Sequence, residues 1–255
     1  MKNLILTSWG DANVRTDDPE KIFISLIAKK RMLFIPLANN GVPYTNKQYY
    51  DLWINQYFGK FGFNGKVDMW EDLSSKSEQD LKEYGGIFIL GGNTFDLLDR
   101  LRTNDFTGSL SKYIDGGGAI FGVSAGAIIL AKDIGTAYYG GDADTNRRRL
   151  TDLRALNKIF GFSIAVHYRE DVDDENLFKY ANENNIKVIA LKDDGAIYVT
   201  DEKVKVLGKS DIYIFTENKR IILTANSEIW KQDIERIAIR NSVQDDKKNK
   251  TTYSF

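Results

Sequence analysis

The sequence predicts an α/β fold in which a mainly parallel sheet carries helices on both faces. Several short runs are apolar throughout, which is typical of strands that are buried on both faces. Helical segments separate these runs, and strands that alternate with helices form parallel sheets. Two glycine-rich turns, at Gly91 and at Ser124, join a buried strand directly to a helix. Ligands bind beyond the carboxyl ends of such strands, where we expect both turns to lie.

The elements follow in chain order from apolar runs and from helix start and stop signals. The first helix is expected at 17–30, because acidic residues begin it and basic residues end it. The other helices are expected at 46–59, at 77–84, from the turn at 91–95 to about 102, directly after Ser124, and at about 173–184. The strands are expected at 4–8, 31–38, 66–70, 86–90, 119–123, 162–168, 187–191 and 196–199. Two last strands, 204–207 and 212–215, are expected to form an antiparallel meander as a C-terminal extension.

Length and composition favour one domain. With 255 residues, 42% of them hydrophobic and 28% charged, the chain has an ordinary globular composition and can build one large α/β domain. We expect this domain to span 1–243. The remaining residues, 244–255, are polar and are expected to be a flexible tail.

Charge and residue usage exclude several classes of function. Basic residues number 35 against 36 acidic ones, so no net field attracts nucleic acid or an anionic membrane, and neither is an expected partner. We interpret the run Arg147–Arg149 as a solvated loop or as a grip for a substrate carboxylate. One histidine and no cysteine exclude disulfides and thiolate chemistry, and we expect no metal and no cofactor. No apolar run is long enough for a signal peptide or a membrane span, which favours a cytoplasmic protein.

The segment around Ser124 has the pattern of a nucleophile elbow. Gly122 and Gly126 lie two residues before and after Ser124, between a predicted buried strand and a helix start. In this motif a sharp turn holds the serine in a strained backbone conformation with its hydroxyl exposed. Glycine is needed on both sides because side chains would collide where strand and helix cross. The pattern predicts a nucleophile at Ser124; the alternative is a serine that only caps the helix.

A serine nucleophile needs a base, and the only histidine of the sequence is His167. This residue ends a predicted strand, so it is expected at the same edge of the sheet as Ser124. The acid that orients the imidazole is expected to be Asp194, which follows another strand, or else Asp142 or Asp144, which lie in the loop after the elbow helix. Spacing alone does not decide between these three carboxylates.

Backbone N–H groups are expected to complete the site. The turn at 91–93 is expected to bring the N–H of Gly92 beside Ser124, where it would form an oxyanion hole together with the N–H of Ala125. For substrate binding we expect Asn93 in the same turn and Arg169 in the segment after the histidine.

These motifs together resemble peptidase family S51, which includes aspartyl dipeptidase (peptidase E) and the cyanophycinases. The resemblance covers about 85–199 and rests on Gly-Gly-Asn-Thr-Phe at 91–95, Gly-Val-Ser-Ala-Gly-Ala at 122–127, the strand that ends in His167, and Asp-Gly at 194–195. It implies a three-layer sandwich like that of the class I glutamine amidotransferases, which is flavodoxin-like, with serine in place of their cysteine.

The resemblance also implies the roles of residues. By position it assigns Ser124 as nucleophile, His167 as general base, Gly92 and Ala125 as oxyanion donors, and Asp194 as third member, with Asp142 or Asp144 as the alternative acid. Aspartyl dipeptidases carry a basic, glycine-containing segment after the histidine, whereas 168–175 is acidic here. The resemblance therefore does not predict a preference for N-terminal aspartate in this chain.

The sequence thus predicts a serine peptidase that hydrolyses short peptides, as a dipeptidase does, through an acyl-enzyme on Ser124. It is expected to act as a monomer or homodimer. The alternative is a non-catalytic protein of the same fold that binds a small molecule or a peptide. A serine-directed phosphonate would label Ser124 in the first case and not in the second.

Overall fold

The computed structural model describes residues 1–8, 17–27, 31–38, 57–140 and 143–234, and the backbone of 251–253. In these residues the strands are β1 (Asn3–Thr7), β2 (Arg31–Ile35), β3 (Val67–Met69), β4 (Tyr84–Ile89), β5 (Ala119–Val123), β6 (Phe162–Ala165), β7 (Lys187–Ala190), β8 (Ala196–Val199), β9 (Lys203–Leu207), β10 (Ile212–Phe215), β11 (Arg220–Leu223), β12 (Glu228–Trp230) and β13 (Thr251–Tyr253). The helices are α1 (Asp18–Ile27), α2 (Glu78–Leu81), α3 (Thr94–Thr103), α4 (Phe106–Asp115), α5 (Ala125–Ile128) and α6 (Asp174–Asn184), with a short 3-10 helix at Gly135–Tyr138.

The larger sheet is mainly parallel. Its strand order, over the described residues, is β12-β9-β8-β1-β5-β4-β2-β3. The strands from β1 to β3 in this order run parallel to one another. Strands β8, β9 and β12 extend the sheet in antiparallel fashion. This arrangement confirms the predicted α/β class with a mainly parallel sheet.

Helices cover both faces of the parallel strands. Successive side chains of a strand point to opposite faces, so one strand contributes residues to the cores on both sides of the sheet. In β1, Leu4 and Leu6 enter one apolar core together with residues of α3, α4 and α5, whereas Ile5 enters a second core with residues of α1. Every residue of β5 is buried, as expected for a parallel strand that is covered on both sides. The strand that leads to Ser124 is therefore packed on both of its faces.

A second sheet, not expected from the sequence, has the order β13-β11-β10-β7-β6 in the described residues. The predicted pairing of 204–207 with 212–215 is wrong: β9 pairs with β8 and β12, whereas β10 pairs with β7 and β11. The reason lies in the burial of β10, all of whose residues are buried. Its Ile212 and Ile214 join the large core, and Tyr213 and Phe215 pack with residues of α6 on the other side.

Element bounds differ from the predictions in a few places. The strand predicted at 162–168 ends at Ala165, and α4 was not predicted. The predicted helix at 46–59 lies outside the described residues except for its last three positions, as do 28–30 of the first helix. In the predicted tail, the backbone of β13 runs parallel to β11, and the rest lies outside the described residues. None of the described helices is long and apolar enough to cross a membrane.

Candidate active site

Ser124 lies at a strained turn between β5 and α5. Its backbone dihedrals, φ 49° and ψ −111°, are unusual for a residue with a side chain. The Ser124 N–H donates to the carbonyl of Thr7 at 2.8 Å, and the Ser124 carbonyl accepts from the N–H groups of Ala127 and Ile128. These bonds fix the turn on the neighbouring strand β1 and on the first turn of α5. Such local geometry is that of a nucleophile elbow.

Two glycines make this turn sterically possible. A Cβ atom at Gly122 would lie 2.5 Å from the carbonyl oxygen of Gly126, and one at Gly126 would lie 2.3 Å from the carbonyl oxygen of Ile89 in β4. Real Cβ atoms do not approach backbone so closely. Helix α5 can therefore cross the sheet at this distance only with glycine at both positions, as expected from the spacing around Ser124.

His167 and a carboxylate form a hydrogen-bonded chain with Ser124. The Oγ atom of Ser124 lies 3.1 Å from Nε2 of His167, and Nδ1 of His167 lies 2.6 Å from Oδ1 of Asp193. A carboxylate only accepts, so Nδ1 carries the proton, and in a neutral imidazole Nε2 is then free to accept from the serine hydroxyl. The arrangement can accept a proton from Ser124 and stabilise the resulting imidazolium.

Strand pairing explains why these residues meet. β6 and β7 are parallel neighbours, so the loop after β6, which carries His167, lies beside the loop after β7, which carries Asp193. The N–H of Tyr168 donates to the carbonyl of Leu191 at 3.0 Å and joins the two loops. Ser124 follows β5, which belongs to the other sheet. The site therefore forms where the carboxyl ends of strands from both sheets meet.

Ser8 holds His167 in place, a role that the sequence reasoning missed. The Ser8 side chain is fully buried; its hydroxyl donates to the carbonyl of Leu191 at 2.9 Å and accepts from the N–H of His167 at 3.2 Å. His167 has a φ of 54°, in the left-handed region that is uncommon for non-glycine residues. Ser8 follows β1, the neighbour of β5, so one hydroxyl joins the serine side of the site to the histidine side.

The carboxylate that contacts His167 differs from the predicted one. The sequence favoured Asp194, but the Asp194 carboxylate accepts from the hydroxyl of Ser210 at 2.7 Å, and the partner of His167 is Asp193. The physical reason is a tight turn, in which the N–H of Gly195 donates to the carbonyl of Lys192 at 2.7 Å and directs the two side chains to different neighbours. Of the alternative acids, Asp142 lies outside the described residues.

Asp144, the other alternative, lies in the same cavity but does not bond to the imidazole. Its Oδ2 accepts from the backbone N–H of Thr94 at 2.8 Å and from the Thr94 hydroxyl at 2.6 Å. Burial raises the pKa of Asp144 above its usual value, and hydrogen bonds from Thr94 and attraction to His167 act in the opposite direction. The carboxylate thus caps helix α3 from outside and at the same time faces the site.

Of the two expected oxyanion donors, Gly92 lines the same cavity as Ser124, and Ala125 directly follows Ser124 in the chain. Gly92 follows β4, the parallel neighbour of β5, and a Cβ atom at Gly91 would lie 3.0 Å from Cβ of Ser124. Gly92 itself has a φ of 136°, and a Cβ there would lie 2.5 Å from the carbonyl oxygen of Ala38, so only glycine fits. Within the described residues, neither the Gly92 N–H nor the Ala125 N–H donates to a protein acceptor.

The two expected substrate-binding side chains are engaged elsewhere. Asn93 caps α3 by accepting from the N–H of Asp96 at 3.0 Å, and its amide nitrogen donates to the carbonyl of Thr145 at 3.0 Å. The guanidinium of Arg169 pairs with Asp173 at 2.7 Å. Both side chains thus stabilise loops of the site, and neither lines the cavity at Ser124.

A cavity of about 280 Å³ opens at Ser124. Its polar lining includes Gly92, Ser124, Asp144 and His167, and its apolar wall includes Ile128 and Val166. No lysine or arginine is among the described residues that line it. The described part of the chain also contains no group of three His, Cys, Asp or Glu residues that could hold a metal ion.

The chain is similar to known peptidases. The model of peptidase family S51 matches residues 4–207. A peptidase E of Shewanella denitrificans is 24% identical over 217 residues, which are 78% of this chain and 84% of the relative. A solved structure from Listeria monocytogenes EGD-e, named provisionally as peptidase E, has a TM-score of 0.61 and 24% identity and covers 82% of this chain and 100% of its own. A peptidase from an acI-B1 actinobacterium has a TM-score of 0.66 and 17% identity, with coverages of 90% and 97%. The two solved structures show the fold.

Proposed function

The chain belongs to peptidase family S51, and from its site we infer that it is a serine peptidase that hydrolyses short peptides through an acyl-enzyme on Ser124. One observation carries this proposal: the hydrogen-bonded chain from Ser124 Oγ through the imidazole of His167 to Asp193, with distances of 3.1 and 2.6 Å. A serine hydroxyl is a weak nucleophile, and a base that is itself oriented by a carboxylate activates it.

The reaction follows from the positions of these groups. Ser124 Oγ attacks the carbonyl carbon of the scissile peptide bond while its proton passes to Nε2 of His167, and Asp193 stabilises the imidazolium. The N–H groups of Gly92 and Ala125 donate to the oxyanion of the tetrahedral intermediate. The C–N bond then breaks, and His167 returns the proton to the leaving amine. Water, deprotonated by the same imidazole, hydrolyses the ester and releases Ser124.

The size of the site supports short peptides as substrates. The cavity of about 280 Å³ lies just below the usual range of ligand pockets, which is about 300–1,000 Å³. A cavity of this size holds a single amino-acid residue rather than an extended segment. We therefore propose that hydrolysis occurs near a chain end, as in a dipeptidase.

Two variants test the mechanism against a panel of dipeptides. Ser124→Ala and His167→Gln are each expected to lower kcat by about 10⁴-fold or more, because serine and histidine act as one unit. Ser75→Ala, at an exposed serine outside the site, is the matched control and is expected to retain full activity. Unchanged hydrolysis in both site variants would exclude Ser124 as the nucleophile.

A phosphonate that reacts with activated serines separates this function from the alternative, a non-catalytic binding protein of the same fold. In the peptidase, the reagent is expected to label Ser124 in the wild type and to leave the Ser124→Ala variant unlabelled. A folded wild-type protein that takes up no label and hydrolyses no peptide of the panel would favour the binding protein.

A further inference from the structure

One large residue of the cavity at Ser124 has no role in the proposed reaction. Tyr139 is the largest of the described residues that line this cavity, and the other apolar ones are Ile128, Ala137 and Val166. Val166 directly precedes the histidine of the site, and the N–H of Ile128 donates to the Ser124 carbonyl at 3.0 Å. The apolar side of the cavity therefore lies beside the groups that would react.

The ring of Tyr139 packs against a side chain that is itself fixed. Its centroid lies 5.7 Å from the ring centroid of Tyr180, and the two ring planes meet at 61°, an edge-on contact that is typical of aromatic pairs. Tyr180 is buried, and its hydroxyl donates to the carboxylate of Asp133. This carboxylate also accepts from the N–H of Gly135 at 3.0 Å. The support behind the Tyr139 ring thus belongs to the folded core.

The backbone on this side of the cavity is also fixed. The N–H of Tyr139 donates to the carbonyl of Thr136 at 3.0 Å, and the buried hydroxyl of Thr136 donates to the carbonyl of Ile164 in β6. Closely packed interiors resist the displacement of their side chains and backbone. We therefore expect the wall at Tyr139 not to move aside for a larger group that enters the cavity.

We propose that Tyr139 limits the size of the side chain that enters the cavity, so that the site acts on peptides whose acyl residue, the one that Ser124 attacks, has a small apolar side chain. This inference rests on the proposed peptidase function and adds the substrate class to it. Its support is the volume of about 280 Å³, the apolar wall, and the absence of lysine and arginine among the described lining residues. A cavity of this size must hold the backbone of the acyl residue as well as its side chain.

The expected selectivity follows from the size of the groups that are compared. A single methylene group in an apolar pocket changes kcat/KM by about 10- to 200-fold. A benzyl side chain exceeds a methyl side chain by a whole phenyl ring, which would overlap with the wall at Tyr139 in a cavity that is already small. We therefore expect a preference for the methyl side chain of at least about 10-fold.

The test compares two reagents that react with an activated serine and differ only in their side chain. They are the diphenyl phosphonate analogues of alanine and of phenylalanine; with each, Ser124 Oγ bonds to phosphorus, its proton passes to His167, and phenol leaves. The alanine analogue is expected to label the wild type at least about 10-fold faster. In Tyr139→Ala this ratio should fall by at least about 10-fold, because the phenylalanine analogue reacts faster than it does with the wild type.

Two further variants at the same position complete the test. Tyr139→Phe is the matched control, because it keeps the ring and removes only the hydroxyl, and its ratio of labelling rates should equal that of the wild type within about twofold. Tyr139→Leu keeps an apolar side chain against Tyr180 and should show an intermediate ratio. It decides the question if Tyr139→Ala does not fold.

Several results would overturn the inference. Equal labelling of the wild type by both reagents is one, and a preference for the alanine analogue that survives Tyr139→Ala and Tyr139→Leu is another. Loss of the preference in Tyr139→Phe would assign the selection to the hydroxyl instead of the ring, and loss of all labelling in folded Tyr139→Leu would assign another role to this residue. Failure of the peptidase proposal looks different: a folded wild type that neither reagent labels and that hydrolyses no peptide, and the inference then fails with it.

Discussion

Oδ1 of Asp193 lies 2.6 Å from Nδ1 of His167, whereas the carboxylate of the next residue, Asp194, bonds to Ser210. The two adjacent aspartates thus provide a test position and a matched control position for mutation. Asp193→Asn removes the charge that stabilises the imidazolium and permits the wrong tautomer, so we expect kcat to fall by about 10²- to 10⁴-fold. The lower end is included because the Asp193 side chain is 53% exposed to solvent.

Asp194→Asn is the control for this prediction. Its oxygen can still accept from the Ser210 hydroxyl, so we expect kcat to stay within about twofold of the wild type. Steady-state hydrolysis of the best dipeptide by both variants provides the measurement. A larger loss in Asp194→Asn than in Asp193→Asn would mean that the catalytic acid is the one that the sequence suggested.

This one-residue difference shows how far sequence reasoning reaches. The Ser124 elbow follows from a local pattern, because the glycines that permit the turn are close in sequence. The pattern of apolar runs also predicts where the parallel strands end. That prediction placed His167 and the 193–194 turn at one edge of the sheet. Which of two adjacent carboxylates faces the imidazole depends on turn geometry, and the sequence carries no sign of it.

Contacts between residues that are far apart in the sequence could not be predicted either. Ser8 is separated from His167 by 159 residues, and nothing near it in sequence indicates their hydrogen bond. The second sheet was missed for a similar reason, since the apolar run of β10 is compatible with any neighbouring strand. Helix α4 could have been predicted, because its buried residues Phe106, Leu110 and Ile114 recur at helical spacing.

A second prediction concerns Arg220, which ties together the loops that carry His167 and Asp193. Its side chain is only 8% exposed; it contacts Asp174 at 2.5 Å and Glu170 at 3.4 Å, and Glu170 also accepts from Lys192 at 2.9 Å. Glu170 lies three residues after the histidine, and Lys192 directly precedes Asp193. We therefore expect Arg220 to act as a positioning residue through both loops.

Arg220→Met should lower the free energy of unfolding by about 1–3 kcal/mol, because it removes a buried cation that pairs with the partly buried carboxylates of Asp174 and Glu170. It should also lower kcat more than it raises KM, and Arg220→Lys should restore part of the loss. Arg154→Met is the control: this side chain is 85% exposed and pairs with Asp152, and we expect no measurable change in stability. Urea unfolding and steady-state kinetics measure both effects. A loss of stability with unchanged kcat would contradict the positioning role.

A third prediction compares two glycines in helices. Gly126→Ala would place a Cβ atom 2.3 Å from the carbonyl oxygen of Ile89, so α5 must move away from the sheet and displace Ser124. We expect a loss of about 1–3 kcal/mol in stability, together with a fall in activity. Gly108→Ala in α4 meets no atom within 4 Å and should raise stability by about 0.4–1 kcal/mol with unchanged activity. Thermal unfolding of both variants tests the steric argument, which fails if Gly126→Ala is tolerated as Gly108→Ala is.

The last prediction concerns the effect of pH on stability through Asp144. Burial raises the pKa of this carboxyl in the folded protein above its usual value of 3.8. Between the usual and the raised pKa the folded state holds the proton and the unfolded state has lost it. The folded state then binds more protons, so the contribution of Asp144 to the free energy of unfolding decreases as the pH rises through this window.

Asp144→Asn removes this titration while keeping an acceptor for Thr94. Relative to the wild type, the variant should gain stability as the pH rises through the window, and the difference between the two proteins should be smallest below a pH of about 4. Urea unfolding of both proteins at pH values from about 3 to 8 measures this difference. A wild type that gains stability relative to the variant as the pH rises would mean that the folded protein stabilises the charge of Asp144, which contradicts the raised pKa.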